Sequence, residues 1–135
     1  MAKKFKVEIV SPEKVLFSEE AESLVIPSER GYLGILASHA PLLATLRPGE
    51  IRMTVDGDER WFATSGGFVE VVPQKTTLLV DSAEPVKEID VPRAQEALKR
   101  AQDRLASADS AVDRARAAAA RDRAQNRLRT ASKRK

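Results

Sequence analysis

The sequence predicts an all-β sandwich of about nine to ten strands followed by a C-terminal antiparallel two-helix hairpin. Three observations carry that prediction. All six aromatic residues (Phe5, Phe17, Tyr32, Trp61, Phe62, Phe68) and all six glycines precede residue 69, whereas 13 alanines fall in the last 45 residues. Short apolar runs at close spacing fill the first part, and helical periodicity without Gly or Pro fills the second. The charge divides at the same place: Met1 to Asp90 holds 10 Lys/Arg against 15 Asp/Glu, or −5, and Val91 to Lys135 holds 13 against 5, or +8. A chain of 135 residues has room for one ordinary core and an appendage, so the expected division is residues 1–85 for the sandwich and 86–135 for the hairpin.

Phe5, Val7 and Ile9 alternate with Lys4, Lys6 and Glu8, and a period of two places the apolar set on one face of a strand. Ser11-Pro12 ends that run. Further runs follow at Lys14 to Phe17, Glu22 to Ile26, Tyr32 to Leu36, Leu42 to Leu46, Glu50 to Val55, Arg60 to Thr64, Phe68 to Val72 and Thr76 to Val80. Asp56-Gly57 is the strongest hairpin signal, because a primed two-residue turn needs positive φ at both central positions. Pro27, Pro41, Pro48 and Pro73 stand at the ends of runs, where no ladder hydrogen bond is lost.

Asp90 is placed to cap a helix that takes Pro92 in its first turn. Ala94, Ala97, Leu98, Ala101 and Leu105 then form one stripe, Ser107 to Ser110 breaks the helix and offers a new cap, and Ala117, Ala120, Ala124, Leu128 and Ala131 form a second stripe. Alanine removes little apolar area, so the seam between the helices is expected to open easily. Beside each stripe runs a basic row: Arg93, Arg100 and Arg104 on the first helix, and Arg116, Arg123, Arg127 and Arg134 on the second. Such a row is either a solvated face or the match for an acidic partner. A basic-tailed nucleic-acid-binding module is the alternative reading. It is disfavoured because the tail has no aromatic residue to stack on bases and its arginines alternate with Asp103, Asp109, Asp113 and Asp122.

Enzymatic chemistry is poorly provided for. With no cysteine and a single histidine, His39, the chain lacks the parts of a thiolate site, a histidine metal cluster or a Ser/His/Asp triad. No stretch is long and apolar enough to span a membrane, and Met1 to Val10 alternates rather than forming the basic patch and apolar block of a secretory signal. Ser65-Gly66-Gly67-Phe68 reads as a tight turn, and Gly31 and Gly34 as relief of backbone crowding. His39, before Ala40-Pro41, reads as a turn residue bonded to backbone. Trp61 beside Phe62 puts one ring in the core and one outward, exposed or covered by another body.

The run Gly31-Tyr32-Leu33-Gly34-Ile35-Leu36-Ala37-Ser38-His39-Ala40-Pro41-Leu42, then Ser65-Gly66-Gly67-Phe68-Val69-Glu70-Val71, resembles the epsilon subunit of the F-type proton ATP synthase. The opening Val10-Ser11-Pro12-Glu13 and the order of sandwich and helical tail are similar too. The resemblance implies a non-catalytic rotor subunit of the central stalk, peripheral on the cytoplasmic face of a bacterial cell membrane and attached to it only through the complex. Its expected partners are the gamma subunit and the membrane c-ring for the sandwich, and the alpha and beta subunits for the helices; nucleic acid is not expected. Contacts to the ring are expected around Glu29, Arg30, Gly31 and His39. An extended tail is expected to inhibit ATP hydrolysis through Arg116, Arg123 and Arg127. Some members of the family bind ATP on the folded hairpin through a pattern that Ile89-Asp90-Val91-Pro92-Arg93-Ala94 matches, which implies ATP as a regulatory ligand held by Ile89, Asp90, Arg93, Ala94, Arg123 and Arg127, with no cofactor required.

Overall fold

The structure, a computed structural model, describes residues 3–133 and divides into two compact units that meet between Pro85 and Val86. The first unit is built from β1 (Phe5–Val10), β2 (Val15–Ala21), β3 (Ser23–Ser28), β4 (Gly31–Ile35), β5 (Leu42–Leu46), β6 (Gly49–Val55), β7 (Asp58–Val72) and β8 (Lys75–Pro85). The second has a single 3-10 turn at Val86–Glu88, α1 (Val91–Ser107) and α2 (Ala111–Ala131).

Strands follow the order β2-β1-β8-β7-β5-β3-β4, and β6 joins β3 to β7. All pairs are antiparallel except β1 with β8, which is parallel. Strict alternation puts Phe5, Val7 and Ile9 of β1, Ile51, Met53 and Val55 of β6, Val69 and Val71 of β7, and Leu78 and Val80 of β8 into one buried core with Leu24, Ile26 and Ile35. Phe17 meets Phe62 edge-on inside it, with ring centroids 5.8 Å apart. The β6–β7 turn is the primed turn that the sequence signals, with φ of 50° at Asp56 and 84° at Gly57.

Eight strands form where nine runs were expected. Arg60 to Thr64 and Phe68 to Val72 belong to one strand, β7, and Ser65-Gly66-Gly67 is a bulge inside it rather than a turn. The chain keeps its direction because β8 pairs with β7 on both sides of the glycines, Thr64 with Ala83 and Gly67 with Val80. Thr64 Oγ1 stabilises the irregularity by accepting from Gly66 N at 3.1 Å and donating to Ser82 O at 2.9 Å. Before the bulge β7 pairs with β6, and after it with β5, so one strand serves both layers of the sandwich. Neither Gly31 nor Gly34 relieves backbone crowding, since a Cβ at either would stand in open space; Gly31 instead supplies a φ of 116° at the β3–β4 turn.

Surface ion pairs tie the strand ends together. Lys75 Nζ lies 2.6 Å from Glu8 Oε1, and Lys4 Nζ lies 2.8 Å from Asp56 Oδ1. The hydrogen bond from Lys75, then that from Ser18, holds the Glu8 carboxyl below the ordinary carboxylate range, and Lys4 does the same to Asp56. A depressed folded-state value contributes stability that is complete above the unfolded carboxylate pKa and disappears as pH falls through the folded one. Glu8→Gln is therefore expected to weaken the sandwich slightly at neutral pH and to flatten its loss of stability on acidification. Urea unfolding at neutral pH and near pH 3 checks this; an acid limb identical to that of the unsubstituted chain would contradict it.

Candidate functional site

Three places stand out, each within one unit. The first is the outward face of the sheet around β7. Because Val69 and Val71 point inward, Phe68, Glu70 and Val72 point outward. Register sets Phe68 beside Leu79 on β8 and Thr45 on β5, Leu79 beside Val10 on β1, and Leu43 beside Glu70. Leu43, Phe68 and Leu79 are 73%, 54% and 49% exposed. Val10, Leu79 and Phe68 therefore stand side by side on β1, β8 and β7, with Leu43 on β5 diagonal to Phe68, and an exposed apolar row of this kind marks a docking site. Phe62 is the ring in the core, as expected of one of the pair, and Trp61 is half-buried with the Arg52 guanidinium 5.5 Å from its ring centroid.

Glu29, Arg30 and Gly31 form an exposed turn between β3 and β4, where Ser28 Oγ donates to Gly31 O and Glu29 N donates to Thr45 O. His39 lies beyond the other end of β4, half-buried, with its ring Nδ1 2.7 Å from Ala40 O. The five residues of β4 separate the turn from the histidine end by roughly 16 Å.

The hairpin is the third place. Asp90 caps α1, its carboxylate accepting from Arg93 N at 3.1 Å, and Ser110 caps α2 in the same way, accepting from Asp113 N at 3.1 Å. Ile89 and Ala94 are buried, while Asp90 and Arg93 are exposed. Counting outward from the loop at residues 108–110 puts Ala101 opposite Ala117 and Ala94 opposite Ala124, and all four are buried. Four alanine methyl groups hide only about 3 kcal/mol of apolar free energy, far less than four leucines would. Polar residues missed by the apolar-stripe reading, Asn126 and Thr130, are buried on α2, where Thr130 Oγ1 donates to Asn126 O at 2.9 Å.

Each seam alanine follows an arginine: Arg93, Arg100, Arg116 and Arg123. An antiparallel pair has a local two-fold axis, which puts residues one position before the seam on the same face. Arg104 of α1 accordingly lines one groove with Arg116 and Arg123 of α2. Arg127 is half-buried and has a partner outside that groove, and the exposed Asp90 and Arg93 do not line it. Arg134 lies outside the described residues.

Family comparison matches residues 4–86 to the beta-sandwich domain, and residues 87–132 to the long alpha-helix domain, of the ATP synthase delta/epsilon chain. The chain belongs to the ATP synthase delta/epsilon family. This epsilon-type chain is 45% identical over 131 residues to the ATP synthase epsilon chain of Desulforamulus reducens, covering 97% of this chain and 99% of that one. It is 43% identical over 133 residues to that of Syntrophobacter fumaroxidans, covering 98% and 99%. Among solved structures, a chain of the Euglena gracilis mitochondrial ATP synthase assembly containing OSCP, F1 and c-ring superposes with a TM-score of 0.81 at 21% identity, over 91% of this chain and 78% of that one. A chain of the Tetrahymena thermophila mitochondrial central stalk and c-ring assembly gives 0.69 at 15% identity, over 96% and 98%. The last two show a shared fold. Epsilon-type chains are small non-catalytic subunits. No helix among the described residues is long and apolar enough to cross a membrane.

Proposed function

We propose that this epsilon-type chain is a rotor subunit of the central stalk of an F-type ATP synthase, with the sandwich as its docking body and the hairpin as its regulatory arm. The apolar surface of Val10, Leu43, Phe68 and Leu79 is the observation that carries the reading, since such a surface calls for a permanent cover. The family supplies gamma as that cover and the c-ring as the second contact, at Glu29, Arg30, Gly31 and His39. The complex in turn keeps the chain peripheral on the cytoplasmic face of the bacterial membrane. Co-purification with a gamma subunit tests the docking role; a chain that holds no gamma in a gamma-containing extract would overturn it.

The hairpin inhibits ATP hydrolysis by leaving its alanine seam and presenting Arg116, Arg123 and Arg127 to acidic segments of the alpha and beta subunits. ATP opposes this by binding the closed form through Ile89, Asp90, Arg93, Ala94, Arg123 and Arg127. Guanidinium groups suit its phosphates and a carboxylate suits its adenine amino group. A ligand present at one hundred times its dissociation constant adds about 2.7 kcal/mol to the form it binds, comparable with what the four buried seam alanines hide. ATP is expected to protect the arginine-rich tail of the isolated chain from trypsin. Asp90→Asn, which keeps a capping side chain and loses the charge, is expected to remove the protection. Unaltered proteolysis at millimolar ATP would reduce the Ile89 to Ala94 pattern to a helix start.

A further inference from the structure

Asp56 and Gly57 are the two central residues of the β6–β7 turn, which is closed by the pairing of Val55 with Asp58. Aspartate followed by glycine is also a reactive linkage, because the glycine amide nitrogen, unshielded by a side chain, can attack the aspartyl carboxyl carbon. Ring closure has two requirements: a protonated carboxyl, whose hydroxyl leaves as water, and an amide nitrogen free to lose its hydrogen. Both groups lie in the open, for Asp56 is exposed and no atom stands within 4 Å of where a Cβ on Gly57 would be. Each is nonetheless engaged. Lys4 Nζ, just before β1, donates to Asp56 Oδ1 at 2.8 Å, and Gly57 N donates at 3.0 Å to Oε1 of Glu22, the residue between β2 and β3. These partners are 52 and 35 positions away in the chain, so only the folded sandwich brings them to the turn.

We propose that Asp56-Gly57 is a site of spontaneous isoaspartate formation that Lys4 and Glu22 hold off while the sandwich is folded. In the reaction Gly57 N gives up its hydrogen and bonds to Asp56 Cγ, the carboxyl hydroxyl leaves as water, and a succinimide ring results. Water then adds to the ring. Breaking the new bond at Cγ restores aspartate, whereas breaking the original bond from the Asp56 main-chain carbonyl carbon to Gly57 N leaves isoaspartate, with the same composition and one more atom in the backbone. Nothing is oxidised or reduced, and water is the only co-reactant. The Lys4 ammonium, and more weakly the Arg60 guanidinium, keep the Asp56 carboxyl ionised and so without a leaving hydroxyl. Lys4 is itself held in its charged form by Asp56, then by Glu22 and Glu20. The Glu22 carboxylate occupies the Gly57 hydrogen, and its charge opposes ionisation of that nitrogen. An added backbone atom between Val55 and Asp58 does not fit a two-residue primed turn, so the modification disturbs the ladder that carries Ile51, Met53 and Val55 into the core.

Prolonged incubation of the full chain, followed by peptide mapping that separates aspartyl from isoaspartyl forms, provides the test. Unfolded in guanidinium chloride, the chain is expected to isomerise at Asp56 about tenfold faster than when folded, because both contacts are then lost. In the folded chain Lys4→Ala is expected to speed the reaction about threefold, as suits an exposed ion pair, and Glu22→Ala about fivefold. Lys4→Arg, which keeps the cation, is expected to restore the slow rate. Circular dichroism establishes that each variant remains folded, and Asp81-Ser82 on β8 serves as the reference within the same sandwich. The expected result is a rise at Asp56 with Asp81 unchanged. Equal rates at Asp56 in the folded and unfolded chain would overturn the proposal. So would Lys4→Ala and Glu22→Ala variants that react no faster than the unsubstituted chain, or a parallel rise at Asp81, which would assign the effect to general loosening of the sheet.

Discussion

Gly67→Ala is expected to cost the sandwich upwards of about 4 kcal/mol and to leave much of it unfolded. A Cβ on Gly67 would stand 2.0 Å from Leu79 O and 2.8 Å from Val80 Cα, both backbone atoms of the adjacent strand, and φ there is 148°. Neither strand can yield without breaking the β7–β8 ladder that carries Val69, Val71, Leu78 and Val80 into the core. Gly34→Ala provides the contrast. Nothing lies within 4 Å of that Cβ position and φ is not positive, so the change is expected to stay within about 0.5 kcal/mol. Urea denaturation of both variants decides the matter; equal midpoints would mean that β7 does not pass through the bulge described.

Phe68→Asp and Leu79→Asp are each expected to weaken binding to the gamma subunit by about thirtyfold or more, while leaving unfolding midpoints nearly unchanged. Both side chains are about half exposed and point away from the core, so a carboxylate there is solvated in the free chain. Under a docked partner it would be buried without a cation, and a central apolar residue of an interface is worth about 2 kcal/mol or more. A pull-down titration with gamma measures the effect. Unchanged affinity in both variants would remove this face from the interface.

That face was hidden in the sequence, although most of the fold was not. Alternation revealed β1 and β6, Asp56-Gly57 revealed the turn, Asp90 revealed the first helix start, and the break from Ser107 to Ser110 bracketed the second, because each signal is local. Val10, Leu43, Phe68 and Leu79 lie on four different strands and become neighbours only through register, which no local pattern encodes. Ser65-Gly66-Gly67 misled for a related reason. Positive φ serves a turn and a bulge equally, and only continued pairing with β8 distinguishes them. On α2, an apolar count could find Ala117 and Ala124 but passed over Asn126 and Thr130, since Thr130 is reconciled to burial by bonding its own helix. The repeated Arg rows were plain at the outset, whereas their meeting in one groove required knowledge of which alanines form the seam.

Division of labour between a docking sandwich and an inhibitory hairpin is the central claim, and it is tested by ATP hydrolysis of a gamma-containing catalytic assembly prepared without this chain. Addition of the full chain is expected to lower the rate. Addition of residues 1–88, which retain the sandwich, should occupy gamma equally well and leave the rate high; Arg116→Ala combined with Arg123→Ala and Arg127→Ala should behave like that fragment. A fragment of residues 1–88 that binds gamma and inhibits as strongly as the full chain would contradict the account.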